Sequence, residues 1–410
     1  MKRYVIVGNG VAASACIEGI RNVDPDGAVT VISAENRPAY CRPLISYYLE
    51  GRADPAKIGY RAPDFYEKTG CRVLYGQTAE AIDPAAKTVS LSDGAVLPYD
   101  AVCVAAGSSP FVPPFAGLET VREKYSFMTM DDALQLEKAT ETPKDVLIVG
   151  AGLIGLKCAE GLYGRARSIT VCDLADRVLS SILDADGAKA VQAHLEQKGL
   201  RFLLGDTVDR FDGNTAQMKN GEIVRFDVLV LAVGVRANTA LVKNAGGACG
   251  RGITVNEKME TSLSDVLAAG DCAEGEDVSF GARRVLALMP NACFQGYTAG
   301  VNMAGGEKKL TDAIPMNAIG FFGLHIMTAG TYTGDVYEEK TALGSKKFFT
   351  ADGVLKGFIL IGETQRAGLY TALIRNRTPL EGVDFALIRK TATSAAFSKE
   401  TRAKMFGEVV

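Results

Sequence analysis

Histidine is nearly absent from this chain of 410 residues: there are two, His194 in a helical segment and His325 in a late strand-rich region. Neither has ligand-type neighbours, so both read as structural and metal chemistry is not expected. The nine cysteines (16, 41, 71, 103, 158, 172, 249, 272 and 293) are scattered, odd in number, and include no Cys-x-x-Cys pair. That argues against a disulfide framework, a zinc site or a cysteine-ligated cluster, and fits reduced, mostly buried thiols in a cytoplasmic protein. No apolar run approaches membrane-spanning length, and the N-terminus enters a strand at once instead of a charged leader with an apolar core. A charge excess is missing too. With 45 basic and 48 acidic residues the net charge is −3, which points to neither nucleic acid nor an anionic membrane surface. The length allows about two to four domains of ~100–200 residues each.

What is present centres on Val5 to Ala13. Apolar, mostly β-branched residues predict a buried strand that runs into Gly8-Asn9-Gly10, with a helical pattern from Val11. A tight strand-to-helix turn aims the helix's free N–H groups and positive dipole end at one point, which suits a pyrophosphate. Gly8 permits the turn, Gly10 lets a phosphate approach, and Ala13 is the small residue for close helix–strand packing. The next strand, Ala28 to Ile32, leads to Glu35, a carboxylate placed to accept from an adenosine ribose hydroxyl. One such motif is a weak signal, since any strand–turn–helix can carry it.

A second copy changes that. Val146 to Gly155 (VLIVGAGLIG) repeats the design with Gly150, Gly152 and Gly155, and the strand after it ends in Asp173. Each copy also closes with a strand ending in small residues: Ala101 to Ala105 before Ala106-Gly107, and Val228 to Ala232 before Val233-Gly234. An internal repeat of this kind predicts two dinucleotide sites. Pro110, Pro113 and Pro114 mark a linker between them. From Cys71 to Leu97 short β segments read as an excursion of hairpins. From Leu241 the pattern returns to the first unit, through Val266 to Ala269 and Gly270-Asp271, where an Asp suits a polyol chain or a simple cap. Pro290 to Met303 reads as a helix carrying Gln295. Beyond Thr311 short alternating runs predict a separate small sheet, and the tail from Glu381 looks helical and ends polar.

On these residues the chain resembles the FAD-dependent pyridine-nucleotide oxidoreductases over its whole length. The matching stretches are GNGVAA, the Gly107 strand end, GAGLIG, AVGVRAN at 232–238 and AAGDCAE at 268–274. The resemblance implies an α/β fold. An FAD-binding Rossmann-like domain (1–115 and 240–312) holds an inserted NAD(H) domain (116–239), and a small α+β domain (313–410) follows. It implies FAD contacts at Gly8, Gly10, Val11, Ala12, Ala13, Glu35, Arg42, Pro43, Ala79, Ala106, Gly107, Asp271 and Gln295. It implies NADH contacts at Gly150, Gly152, Leu153, Ile154, Gly155, Asp173 and Gly234.

The run Tyr40-Cys41-Arg42-Pro43-Leu44-Ile45-Ser46 looks like rubredoxin and ferredoxin reductases and the flavin portion of NADH-dependent nitrite reductases. The implied activity is hydride transfer from NADH to FAD and delivery of electrons to a rubredoxin- or ferredoxin-type carrier, with dimer contacts through the C-terminal domain. Three alternatives stay open: a thiol, peroxide or coenzyme A-disulfide reductase using Cys41; an NADH oxidase; and a flavin subunit of a larger assembly. Many relatives pair a lysine after that serine with a glutamate in the second motif's helix. Here Tyr47 takes the lysine's place and Lys157 the glutamate's. The resemblance implies that Lys157 faces the flavin–nicotinamide junction, where a cation would favour an electron-rich flavin; a solvated helix lysine is the alternative.

Overall fold

The computed structural model describes residues 1–400 and 402. The polar end of the tail therefore lies outside the described residues. The apolar strand Arg3–Val7 is buried on both faces at the centre of a five-stranded parallel sheet, which is why it reads as a continuous apolar run. Across that sheet the order is Val266–Ala268, Ala101–Val104, Arg3–Val7, Ala28–Ser33, Cys71–Tyr75. Cys71–Tyr75 thus corrects the hairpin reading: it pairs parallel with Ala28–Ser33, and only Ala79–Asp83, Thr88–Leu91 and Val96–Pro98 form an antiparallel ribbon. Its short run resembles a hairpin strand locally, and the tertiary pairing overrides that pattern.

Val266–Ala268 enters this sheet from beyond the second glycine motif, and Val242, Ile253, Val255 and Met259 already share the first unit's core, so the chain has returned to that unit by then. The inserted unit repeats the architecture, with a parallel sheet in the order Arg201–Leu204, Ala166–Asp173, Lys144–Val149, Val228–Leu231, Lys124–Tyr125. It too carries a three-stranded antiparallel ribbon, Val208–Asp212, Thr215–Met218 and Ile223–Arg225. In the first unit the helices Val11–Val23 and Met289–Met303 cross at backbone contact. A Cβ on Gly300 would lie 2.0 Å from Cys16 O, and one on Gly296 2.1 Å from Ala12 O. Only glycine allows that approach.

The C-terminal part is a five-stranded antiparallel sheet, Met316–Phe321 to Val354–Ile361, with helices Ala367–Arg375 and Phe385–Lys390. One face of this sheet packs on the inserted unit, because Phe321, Ile326, Phe349, Ile359 and Ile361 share a core with Leu156, Leu183 and Val191. Polar ties reinforce the contact. Lys347 Nζ reaches Asp184 (2.5 Å) and Asp186 (2.8 Å), and His194 Nε2 lies 3.0 Å from Phe321 O. Among the described residues no helix is long and apolar enough to cross a membrane.

Candidate functional site

The two glycine turns are built alike, bond for bond. Gly8 N–H donates to Ile32 O (2.9 Å) and Gly150 N–H to Cys172 O (2.7 Å), which seats each turn on the second strand of its unit. Both residues have positive φ, +110° and +120°. A Cβ on Gly8 would lie 2.1 Å from Ala105 O, and one on Gly150 2.3 Å from Ala232 O. These two glycines are therefore structural, forced by the closeness of the third strand. Gly10 and Gly152 differ: both have ordinary negative φ, and nothing lies within 4 Å of where a Cβ would sit. Each is the N-cap of a helix, Val11–Val23 or Leu153–Leu162, with no side-chain cap on the first turn's N–H groups. Open space in front of uncapped N–H groups at a dipole's positive end fits a pyrophosphate in both units. The third small residues, Ala13 and Gly155, are buried where the helix meets the strand, and a Cβ on Gly155 would meet Gly150 O at 1.9 Å.

Around the first cradle the loop after Ala28–Ser33 brings Glu35 and Arg42 together. Glu35 Oε1 accepts from Arg42 Nη2 (2.5 Å) and Oε2 from the Tyr40 hydroxyl (2.8 Å), which also accepts from Met130 N–H (2.9 Å). Burial pushes the Tyr40 phenol up to about 12 despite the nearby Arg42, so it stays a donor. Pro43 lies in the short helix Arg42–Leu44. Across the site Asp271 takes a 3.4 Å hydrogen bond from the Ser108 hydroxyl, and burial raises its carboxyl while Arg42 pulls the other way. Ala106 and Gly107 end the Ala101–Val104 strand beside it, Gly107 with φ +65° and open space for a Cβ.

Two expected contacts act differently. Gln295 is buried and its Oε1 accepts from Gly270 N–H (2.8 Å), so it holds the Gly270-Asp271 turn from behind. The Ala79 side chain is buried in the core of the first unit, not open to the strand ends. Tyr40 and Ser108 went unassigned in the sequence, because their roles depend on partners far along the chain.

In the inserted unit Asp173 is fixed by two backbone bonds, Ala151 N–H to Oδ2 (2.7 Å) and Ala175 N–H to Oδ1 (2.8 Å). These hold the carboxylate beside the Gly152 cradle, with a lone pair left on each oxygen for a ribose hydroxyl. Leu153 and Ile154, in the first helical turn, are half-buried, and Gly234 has φ +112° with open space. Arg177, four residues beyond Asp173, spends its guanidinium on Asp176 (2.7 Å).

Lys157 lies where three parts of the chain meet. Its ammonium pairs with Glu160, donates to Gly320 O (3.2 Å), and sits between the Tyr47 ring (4.8 Å) and the Phe321 ring (5.5 Å). Glu160, 4% exposed, also accepts from Phe322 N–H (2.7 Å). The charge that the resemblance would aim at a flavin is thus answered by a buried carboxylate. Lys157→Met is expected to leave that carboxylate without its cation and cost about 3 kcal/mol in urea unfolding. An unchanged midpoint would show the pair to be idle.

Cys41 is half-buried, its Sγ 3.8 Å from Met289 Sδ, and burial moves its thiol up while the Leu44 N–H pulls it partly back. Arg42 turns to Glu35 and Met128 O instead of the sulfur. A shuttling thiol needs a lowered pKa, and this setting supplies the opposite. Among the described residues no three His, Cys, Asp or Glu side chains gather as a metal site.

The sequence profile of the pyridine nucleotide-disulphide oxidoreductases matches residues 2–296. The chain belongs to this family. It is an NAD(P)H-dependent oxidoreductase, and FAD and NAD(H), the family's cofactors, are the groups the two cradles fit. Among its relatives is the NADH-dependent phenylglyoxylate dehydrogenase subunit epsilon of Aromatoleum evansii, 31% identical over 92% of both chains. The assimilatory nitrate reductase electron transfer subunit of Bacillus subtilis is 30% identical over 92% of this chain, which spans only 50% of that protein. The rubredoxin-NAD(+) reductase of Acinetobacter baylyi is 30% identical over 67% of this chain and 72% of its own. In fold the chain is similar to the crystal structure of a covalent putidaredoxin reductase–putidaredoxin complex, with a TM-score of 0.88 at 22% identity over 100% and 99% of the two chains.

Proposed function

We propose that this chain takes hydride from NADH and passes the electrons to a small redox protein of rubredoxin or ferredoxin type. FAD, when bound, supplies the conversion between two-electron donor and one-electron acceptor; the protein orients, tunes and excludes water. FAD is assigned to residues 1–115 and 240–312, with its pyrophosphate at Gly10, its ribose at Glu35 and its polyol chain at Asp271. NADH is assigned to 116–239, with its pyrophosphate at Gly152 and its ribose at Asp173, whose charge would repel a 2′-phosphate and favour NADH over NADPH. The C-terminal domain, whose sheet packs on the inserted unit, is assigned the surface for a homodimer. A cytoplasmic location follows the same reading.

The observation that carries the proposal is the pair of open, uncapped glycine cradles combined with a Cys41 whose thiol is not activated. Purified protein given NADH is to be offered rubredoxin, ferredoxin, dioxygen, peroxide and disulfides in parallel. Turnover with a carrier protein well above that with the small oxidants supports the reading; turnover with a disulfide or peroxide alone replaces it. Cys41→Ser is expected to leave carrier-linked turnover within about threefold of the parent, under ~1 kcal/mol in the barrier. Loss of turnover in that variant would restore the thiol mechanism.

A second reading has one specific support. The relative matched over 92% of both chains is named as a subunit of an NADH-dependent dehydrogenase. A complex that survives mild extraction, together with an isolated chain inert toward carriers, would favour it.

A further inference from the structure

The stretch AVGVRAN at 232–238 contains a side chain that the roles above leave unused. Two strands cross between the units, Ser108–Pro110 outward and Val235–Ala237 back, and they pair antiparallel with Arg236 opposite Ser109. Each strand ties down the glycine that precedes the other. Asn238 N–H donates to Gly107 O (3.0 Å), and Phe111 N–H donates to Gly234 O (2.9 Å). The side chain of Asn238 adds a second layer: its Nδ2 donates to Ala106 O (2.9 Å), and its Oδ1 accepts from the Ser109 hydroxyl (2.8 Å). Ala106 follows Ala105, whose carbonyl abuts Gly8, and Ser108 bonds Asp271. One amide thus links the chain returning from the Gly234 strand end to the backbone that frames the first cradle.

We propose that Asn238 is a positioning residue that sets the orientation of the inserted unit relative to the first, and so the distance over which hydride travels. The proposal rests on FAD and NADH occupying the two cradles as assigned above. Its physical basis is that reaction between two bound partners depends steeply on alignment, a misplacement of about 1 Å costing up to ~100-fold. A main-chain ribbon of two three-residue strands is short, and the Asn238 amide is what braces it against twisting.

The test uses the full-length protein carrying Asn238→Asp, which keeps the shape and loses the Nδ2 donor, and Ser109→Ala, which removes the other bond. Hydrogen exchange without nucleotides should show faster exchange at the Phe111 and Asn238 amides in both variants. With FAD bound, flavin reduction by NADH should slow 10- to 100-fold in Asn238→Asp and less in Ser109→Ala, while FAD content and NADH affinity stay within threefold. Arg236→Ala, which removes only an exposed guanidinium's contact with the Phe111 ring (4.4 Å), should change none of these. Unchanged reduction rates in both variants would overturn the proposal. So would a parallel loss of FAD, which would make Asn238 a part of the flavin site's stability alone. If the parent protein itself is not reduced by NADH, the assignment of the two cradles fails, and faster exchange in the variants still reports on the brace.

Discussion

Gly10→Val is expected to yield a folded, colourless protein. Gly10 has φ −108° and ψ −160°, extended backbone that any residue adopts, and no atom lies within 4 Å of an added Cβ. The folded chain therefore accommodates valine at a cost of about 1 kcal/mol, the loss of a favourable helix N-cap. What the side chain fills is the space in front of the N–H groups of residues 11 to 13, where the pyrophosphate of FAD is assigned. Flavin content should fall by more than ~100-fold in affinity, about 2.7 kcal/mol, while the thermal unfolding of the nucleotide-free protein changes little. Gly8→Val makes the contrast. There φ is +110° and the Cβ would lie 2.1 Å from Ala105 O, so that variant should misfold. A yellow Gly10→Val protein with normal flavin content would show that the first cradle does not hold the phosphate.

Gly152→Val should separate the two sites. Its backbone, φ −80° and ψ −173°, tolerates a side chain, and again nothing lies within 4 Å. The variant should be yellow, since the first unit is untouched, yet NADH should reduce its flavin with an efficiency lowered by ~100-fold or more, about 2.7 kcal/mol in the transition-state barrier. Chemical reduction of the flavin with dithionite should proceed as in the parent, which shows the flavin itself to be competent. Loss of flavin from Gly152→Val, with NADH binding intact, would mean the two units had been assigned the wrong way round.

The glycine turns were legible because local steric demands write them into the sequence. Val5 to Gly10 and Val146 to Gly152 each need an apolar strand, a positive-φ glycine and an open glycine, whatever surrounds them. The insertion was legible for a related reason, since Val266–Ala268 resumes the small, apolar pattern of the first sheet. What could not be read depends on partners distant in the chain. Cys71–Tyr75 resembles a hairpin strand and becomes an edge of the parallel sheet only by pairing with Ala28–Ser33. Lys346 and Lys347 are both buried, and because successive strand residues face opposite sides they meet different partners. Lys346 turns to Glu363 (2.5 Å), and Lys347 turns to Asp184 and Asp186 of the inserted unit. Lys157 carries a different lesson: the resemblance assigns it to the flavin–nicotinamide junction, whereas its ammonium pairs with Glu160 one turn on in the same helix and meets Gly320 O. The i,i+3 spacing allows that pair; what packing adds is its burial, with Phe322 N–H donating to Glu160 and the Phe321 ring beside the ammonium.

The claim at the centre is that one chain holds FAD and NADH in two cradles and moves hydride between them. The most direct measurement is an anaerobic titration of the purified, flavin-loaded protein with NADH, followed by the flavin's visible absorbance. One equivalent of NADH per chain should bleach the flavin, and addition of an oxidised carrier protein under the same anaerobic conditions should restore the colour. Flavin that stays oxidised in the presence of excess NADH, or a protein that binds nicotinamide in both cradles and no flavin, would contradict it.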